Sequence, residues 1–227
     1  MISLLEPLTI AIDGPSASGK STVGELLAKR VGYLYFDTGV MYRAVTCVAL
    51  QCGIAVGDER RVSDLAERLK IDVLPPTVMD GRQNTVLADG SDITLALRGS
   101  LIDANVSAVS SYPRVREAMV RQQRAIGERG RVVMIGRDIG TVVLPEADLK
   151  VYMTASVEER ARRRYKENAA RGDMTPYEEV LRLMKHRDEF DMGRATSPLR
   201  PATDAHIVDT ERLNIVEVVD AIERLWN

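Results

Sequence analysis

The apolar positions of this chain alternate between two rhythms. Short β-branched or aromatic runs occur at Thr9–Ile12, Tyr33–Phe36, Arg131–Ile135, Lys150–Met153 and Ala205–Val208. Between them, apolar residues return every three or four positions, the spacing of one helix face. Such stretches carry Val23, Leu26, Leu27 and Ala28, then Met41, Tyr42, Ala44, Val45 and Val48 up to Gly53. Others run from about Arg60 to Lys70, from Leu101 to Arg129, from Tyr177 to about Asp191, and from Ile215 to Trp226. Pro113 interrupts the long one and suits the first turn of a new helix. Strands and helices taking turns predict an α/β fold: a three-layer arrangement with a five-stranded parallel sheet and helices on both faces.

One stretch breaks the rhythm. Ile71–Leu74, Thr85–Ala88 and Ile93–Leu97 read as strands, separated by Pro75-Pro76, Asp80-Gly81 and Asp89-Gly90-Ser91. Asp-Gly pairs between short strands are hairpin turns, so a small antiparallel β insertion is expected over about 71–98. Near the other end, Ser156 followed three residues later by Glu159 reads as a capping box opening an arginine-rich helix. Ala195 to Pro201 reads as a loop.

The turn after the first strand carries chemistry. Gly14-Pro15-Ser16-Ala17-Ser18-Gly19-Lys20-Ser21-Thr22 matches G-x-x-x-x-G-K-[ST], set between a strand and a helix as that signature requires. Backbone N–H groups of such a loop converge on an anion, and the positive end of the next helix adds to them. Lys20 reaches the β- and γ-phosphates, and the Ser21 hydroxyl is placed to ligand Mg²⁺. A nucleoside triphosphate is the implied ligand.

Composition narrows the classes. The chain has 227 residues, 45% hydrophobic and 28% charged, with a net charge of −2, which argues against a nucleic-acid polymer as partner. Lysine occurs at only six positions and arginine supplies the other 25 of 31 basic residues, a planar fork suited to phosphate. Cys47 and Cys52 are expected as two buried thiols in a reducing compartment, and isolated His186 and His206 make no metal site. No stretch approaches 18 apolar residues and no signal-like segment opens the chain, so a cytoplasmic protein without membrane contact is expected; the even charge and the lack of an obvious exposed apolar stripe point to a monomer.

Arginines recur where strands end and where helices follow: Arg43, Arg114, Arg116, Arg137, Arg160, Arg163, Arg164, Arg187 and Arg194. Phosphoryl transfer between two anions needs little covalent help and much charge neutralisation, which such a distribution supplies. No guanine-reading Asn-Lys-x-Asp is present, and Arg131–Ile135 closes in Gly-Arg-Asp rather than in the Asp-Glu pair of motor-type ATPases. Another small-acceptor kinase, for shikimate or AMP, and a regulatory module that binds ATP without transfer are the alternatives.

Four further motifs carry a resemblance. Asp37-Thr38-Gly39-x-Met41-Tyr42-Arg43, Pro113-Arg114-Val115-Arg116, Gly136-Arg137-Asp138-Ile139-Gly140-Thr141 and Arg187-Asp188-x-x-Asp191-x-x-Arg194 look like the bacterial cytidylate kinases, from about Leu8 to the C-terminus. The resemblance implies γ-phosphoryl transfer from ATP, with Mg²⁺, to CMP or dCMP. It implies that Gly14–Thr22 hold ATP with Lys20 on the transferring group. Arg43 and Arg137 would grip the acceptor phosphate. Thr38, Ser107, Arg116, Asp138 and Arg194 would surround the cytosine, and Arg187 and Asp191 the ribose. Arg160, Arg163 and Arg164 would belong to a lid, with Lys20, Arg137, Arg160 and Arg164 as the catalytic set. Thr38 stands where some members have serine, which keeps the hydroxyl. The organisation implied for 1–227 is one kinase unit: core 1–37, 101–155 and 195–227, a mononucleotide-binding region 38–100 holding the insertion, and a lid over about 156–194.

Chemistry supports the base assignment separately. A carboxylate such as Asp138 accepts from the exocyclic amine of cytosine, and an arginine such as Arg116 donates to N3 and O2. Uracil reverses that polarity and leaves buried groups unpaired, so CMP and dCMP are expected over UMP, AMP and GMP.

Overall fold

The computed structural model describes residues 7–194 and 196–226. Ala195, at the start of the expected loop, lies outside the described residues. In chain order the elements are β1 (Thr9–Asp13), α1 (Lys20–Val31), β2 (Leu34–Asp37), α2 (Gly39–Gln51), α3 (Glu59–Arg68), β3 (Ile71–Leu74), β4 (Thr85–Ala88) and β5 (Ser91–Asp92). They continue with α4 (Ser100–Val109), α5 (Pro113–Gly127), β6 (Val132–Gly136), β7 (Leu149–Thr154), α6 (Val157–Ala170), α7 (Tyr177–Met192), β8 (His206–Asp209) and α8 (Ile215–Glu223). Five strands form one parallel sheet in the order β2–β6–β1–β7–β8, as expected from the apolar runs. Ile10 pairs with Leu149 and Asp13 with Tyr152 between β1 and β7, and Val151 pairs with His206 between β7 and β8.

By contacts the chain forms two compact units, Met1–Tyr33 with Val133–Asn227, and Leu34–Val132. In the first, Ile10, Ala11, Ile12, Val133, Met134, Val151 and Met153 form the buried sheet interior, and α8 contributes Val218, Val219 and Ile222. Asn214 and Glu217 make the reciprocal cap of α8. In the second unit, Asp58 caps α3 through the Arg61 amide, and Pro113 opens α5. The insertion is a three-stranded antiparallel sheet in the order β3–β4–β5.

Three expectations need correction. The third strand of the insertion is Ser91–Asp92, and Leu95–Leu97 form a 3₁₀ turn instead of extending it. The polar residues decide this: Asp92 Oδ1 accepts from both the amide and the hydroxyl of Thr94, which bends the chain, while Thr94 Oγ1 accepts from the Val86 amide. The capping box at Ser156 is half formed. Ser156 Oγ accepts from the Glu159 amide at 3.2 Å, but the Ser156 amide donates to Glu211, while the Glu159 carboxylate pairs with Arg162 and Arg163. Of the two thiols, Cys47 is buried and Cys52 is exposed.

Candidate active site

Gly14 is demanded by its surroundings. A Cβ there would lie 2.2 Å from the Met153 carbonyl oxygen of β7, so the loop runs against the strand with no space for a side chain. α1 then begins at Lys20 with no side-chain cap and no acidic residue in its first turn, which leaves its positive end to an outside anion. The buried Lys20 ammonium donates to the Pro15 carbonyl at 2.7 Å and to Ser18 Oγ at 3.4 Å, folded over its own loop. Ser21 and Thr22 are exposed. A cleft of about 810 Å³ opens on Ser18 to Thr22 and is closed by Arg163, Arg164, Thr210, Leu213 and Ile215. That volume suits a nucleotide.

Three of the four arginines of α6, Arg160, Arg163 and Arg164, are held in different ways. Arg160 is buried: its Nη atoms bond Asp188 of α7 at 2.6 and 3.2 Å, Nη1 also reaches the Ser16 carbonyl at 3.2 Å, and Nε donates to the Ala155 carbonyl at 3.0 Å. It ties α6 and α7 to the phosphate loop. Arg163 donates to the Thr210 hydroxyl at 3.0 Å and to the Thr210 carbonyl at 2.5 Å, and Thr210 in turn reaches the Ser18 carbonyl at 3.2 Å. Arg164 pairs with Glu167 at 3.5 Å and lines the cleft. Glu211 accepts from the Ser156 amide and hydroxyl, both at 2.7 Å, and fastens the cleft wall to the start of α6.

A second cationic group gathers around α7. Arg137 donates to Asp191 at 3.0 Å, and Arg194 bonds the other oxygen of the same carboxylate. Burial lowers the pKa of Arg187 most, and the positive charges of Arg137, Arg164 and Arg194 lower it further, while Asp191 opposes them. Four guanidinium groups therefore share one electrostatic neighbourhood around Asp191, an arrangement that favours an incoming anion. Tyr152, on β7, feels the same region. Its pKa is raised mainly by burial, then by Asp13 and Asp188, against Arg137 and Arg160. Asp138 is buried at the mouth of a π-type turn, Ile139–Val143, whose Val142 and Val143 amides bond its carbonyl at 2.9 and 3.2 Å.

The second unit carries the remaining expected residues. Thr38 is buried at the start of α2. Arg43 donates from Nε and Nη2 to the Leu97 carbonyl at 3.1 and 2.7 Å and to Asp103 at 2.7 Å. Arg116 is buried over the Tyr42 ring, 5.6 Å from its centroid, with Nη1 on the Ser110 carbonyl at 3.2 Å. Ser107 sits on the exposed face of α4. Arg114 is turned to Asp64 and Glu67 of α3 and joins none of these groups.

Asp13, Asp188 and Thr210 do structural work that the motifs did not announce. Asp188 lies inside the Arg187-to-Arg194 pattern, so its spacing from Asp191 was visible. The partner that binds it, 28 residues away, was not.

A glycine-rich loop between β1 and an uncapped helix, on a parallel α/β sheet, defines a P-loop nucleotide-binding protein. A solved structure of an uncharacterized protein from Eubacterium ventriosum shares the fold, with a TM-score of 0.53 and 11% identity over 97% of this chain and 98% of that one. A family model described as cytidylate kinase matches residues 10–227. A cytidylate kinase of Chloroflexus aggregans is 53% identical over 94% of this chain and 91% of its own length. That of Bacillus subtilis is 47% identical over 95% and 94%. The chain belongs to the cytidylate kinase family.

Proposed function

We propose that the chain transfers the γ-phosphoryl group of ATP to CMP or dCMP, giving CDP or dCDP and ADP. The arginine group around α7, close to a phosphate loop that already accounts for one anion, is the observation that carries this reading. ATP lies in the cleft of Ser18 to Thr22, with its phosphates on Gly14–Thr22 and Lys20. Mg²⁺ arrives with the nucleotide: among the described residues no group of three or more His, Cys, Asp or Glu is arranged to hold an ion. The exposed Ser21 hydroxyl would be its protein ligand, and the ion would supply charge neutralisation on the transferring phosphoryl.

The residues proposed for CMP, carried over one by one from the motifs shared with the family, are Thr38, Arg43, Ser107, Arg116, Arg137, Asp138, Arg187, Asp191 and Arg194. Arg137 and Arg43 take the phosphate, Asp138 the exocyclic amine, Arg116 the ring acceptors, and Asp191 a ribose hydroxyl. Arg164 takes the donor phosphates, while Arg160 and Arg163, each hydrogen-bonded within the protein through all three guanidinium nitrogens, hold α6, the phosphate loop and the cleft wall in place. Closure of α6 and α7 excludes water from the transferring group. Among the described residues no helix is long and apolar enough to cross a membrane, and the enzyme is proposed to work as a cytoplasmic monomer.

ADP release measured with CMP, dCMP, UMP, AMP and shikimate as acceptors tests the reading. CMP and dCMP are expected to lead by a wide margin. Preference for AMP or shikimate points to another kinase, and silence with every acceptor to a binding module.

A further inference from the structure

β1 ends in a carboxylate that the phosphate chemistry does not use. Asp13 is 4% exposed and stands directly before the phosphate loop. Its Oδ1 accepts from the Ile139 amide at 2.8 Å, and its Oδ2 from the Gly140 amide at 2.8 Å. These amides immediately follow Arg137 and Asp138 and open the π-type turn that closes on the Asp138 carbonyl. The fit is close. A Cβ at Gly140 would lie 3.3 Å from Lys150 Cγ and Cδ and 3.5 Å from Asp13 Oδ2, so the turn presses on β1 and β7 with little space for a side chain.

Burial pushes the Asp13 pKa up to about 6, with the Asp138 charge adding to the rise and the two amides and Lys20 opposing it. A charge kept in so unfavourable a place calls for a reason. An ionised carboxylate only accepts hydrogen bonds, through both oxygens, so it admits one orientation of two adjacent N–H groups. An amide side chain of the same size would present a donor to one of them.

We infer that Asp13 is a positioning residue for the phosphoryl acceptor: by clamping the Ile139 and Gly140 amides it sets Arg137 and Asp138 in register with the phosphate loop. One carboxylate thereby connects the strand that launches the donor loop to the turn that presents the acceptor residues. The inference rests on the reading that Arg137 and Asp138 contact CMP.

The test is Asp13→Asn, with initial rates measured against CMP and ATP separately and thermal unfolding followed alongside. The CMP KM is expected to rise about tenfold or more, and kcat to fall, because small misplacements of binding groups are amplified in rate. The ATP KM should stay within about threefold of the parent value. CMP parameters unchanged in the folded variant, or equal losses for both substrates, would overturn the inference, the second by showing a general scaffold role. Should Asp13→Asn fail to fold, Gly140→Ala crowds the same contact from the other side, and the same selective loss for CMP is expected; equal losses there overturn the inference too. Arg137→Met separates the two claims. An unchanged CMP KM in that variant removes the site reading itself; a raised one, with Asp13→Asn silent, removes only the role of Asp13.

Discussion

Removing the Asp188 carboxylate should strand a buried cation. Arg160 and Asp188 side chains are 5% and 12% exposed, joined by two bonds of 2.6 and 3.2 Å. Breaking such a pair by deleting one member costs about 3–5 kcal/mol, because the remaining charge stays out of water without its partner. For a chain of 227 residues, about 2–4 °C of Tm follows each kcal/mol, so Asp188→Ala should lose roughly 6–20 °C. Replacing both residues, Arg160→Met with Asp188→Leu, removes the charge along with its partner and should recover at least about 2 kcal/mol of the loss. Urea denaturation of the parent, both single variants and the double variant measures the coupling. Arg160 also bonds the Ser16 carbonyl, so the ATP KM should rise in Asp188→Ala. A loss under about 1 kcal/mol, the range of a solvated surface pair, would refute the argument and return Arg160 to the role of a mobile lid arginine.

Other outcomes follow from the same geometry. Lys20→Ala should reduce turnover about 10²-fold or more while CMP still binds, as judged by rapid quench and equilibrium titration. Asp138→Ala should lower the ratio of CMP to UMP kcat/KM by at least about tenfold with little change in ATP affinity. Gly14→Ala places a Cβ 2.2 Å from a backbone carbonyl and should abolish ATP binding or folding, read by nucleotide titration and circular dichroism. The Asp13 pKa is raised from 3.8 to about 6, so the folded chain keeps a proton that the unfolded chain releases within that window. Its contribution is fully present below pH 3.8 and is lost as pH rises through about 6, a change of about 3 kcal/mol. Asp13→Asn should flatten that part of the stability profile in a denaturation series.

Much of the fold was legible because local signals agreed with the packing. The five apolar runs became the five strands, and Pro113 opened α5 as its fixed φ favours. Gly14-x₄-Gly19-Lys20-Ser21 was readable because a phosphate loop is local in sequence. The misreadings came where side chains overrode the local pattern. Ile93–Leu97 looked like a strand until Asp92 captured Thr94. The Ser156 amide was claimed by Glu211 from 55 residues away instead of by Glu159. The motifs pointed to residue types for the proposed site, but not to the partners those residues hold. Arg160 belongs to Asp188, Arg163 to Thr210, and the Gly136–Thr141 turn to Asp13, 126 and 127 positions back from the amides it holds. Periodicity and spacing carry no information on pairs so far apart. A lone Asp closing an apolar strand was the only hint of the last.

The destination of the γ-phosphoryl group tests transfer to CMP most directly. With γ-labelled ATP, Mg²⁺ and CMP mixed with excess enzyme in a single turnover, the label should appear in CDP at the rate at which ADP forms. Label recovered as inorganic phosphate at an unchanged rate with or without CMP, or left wholly in ATP, would contradict it.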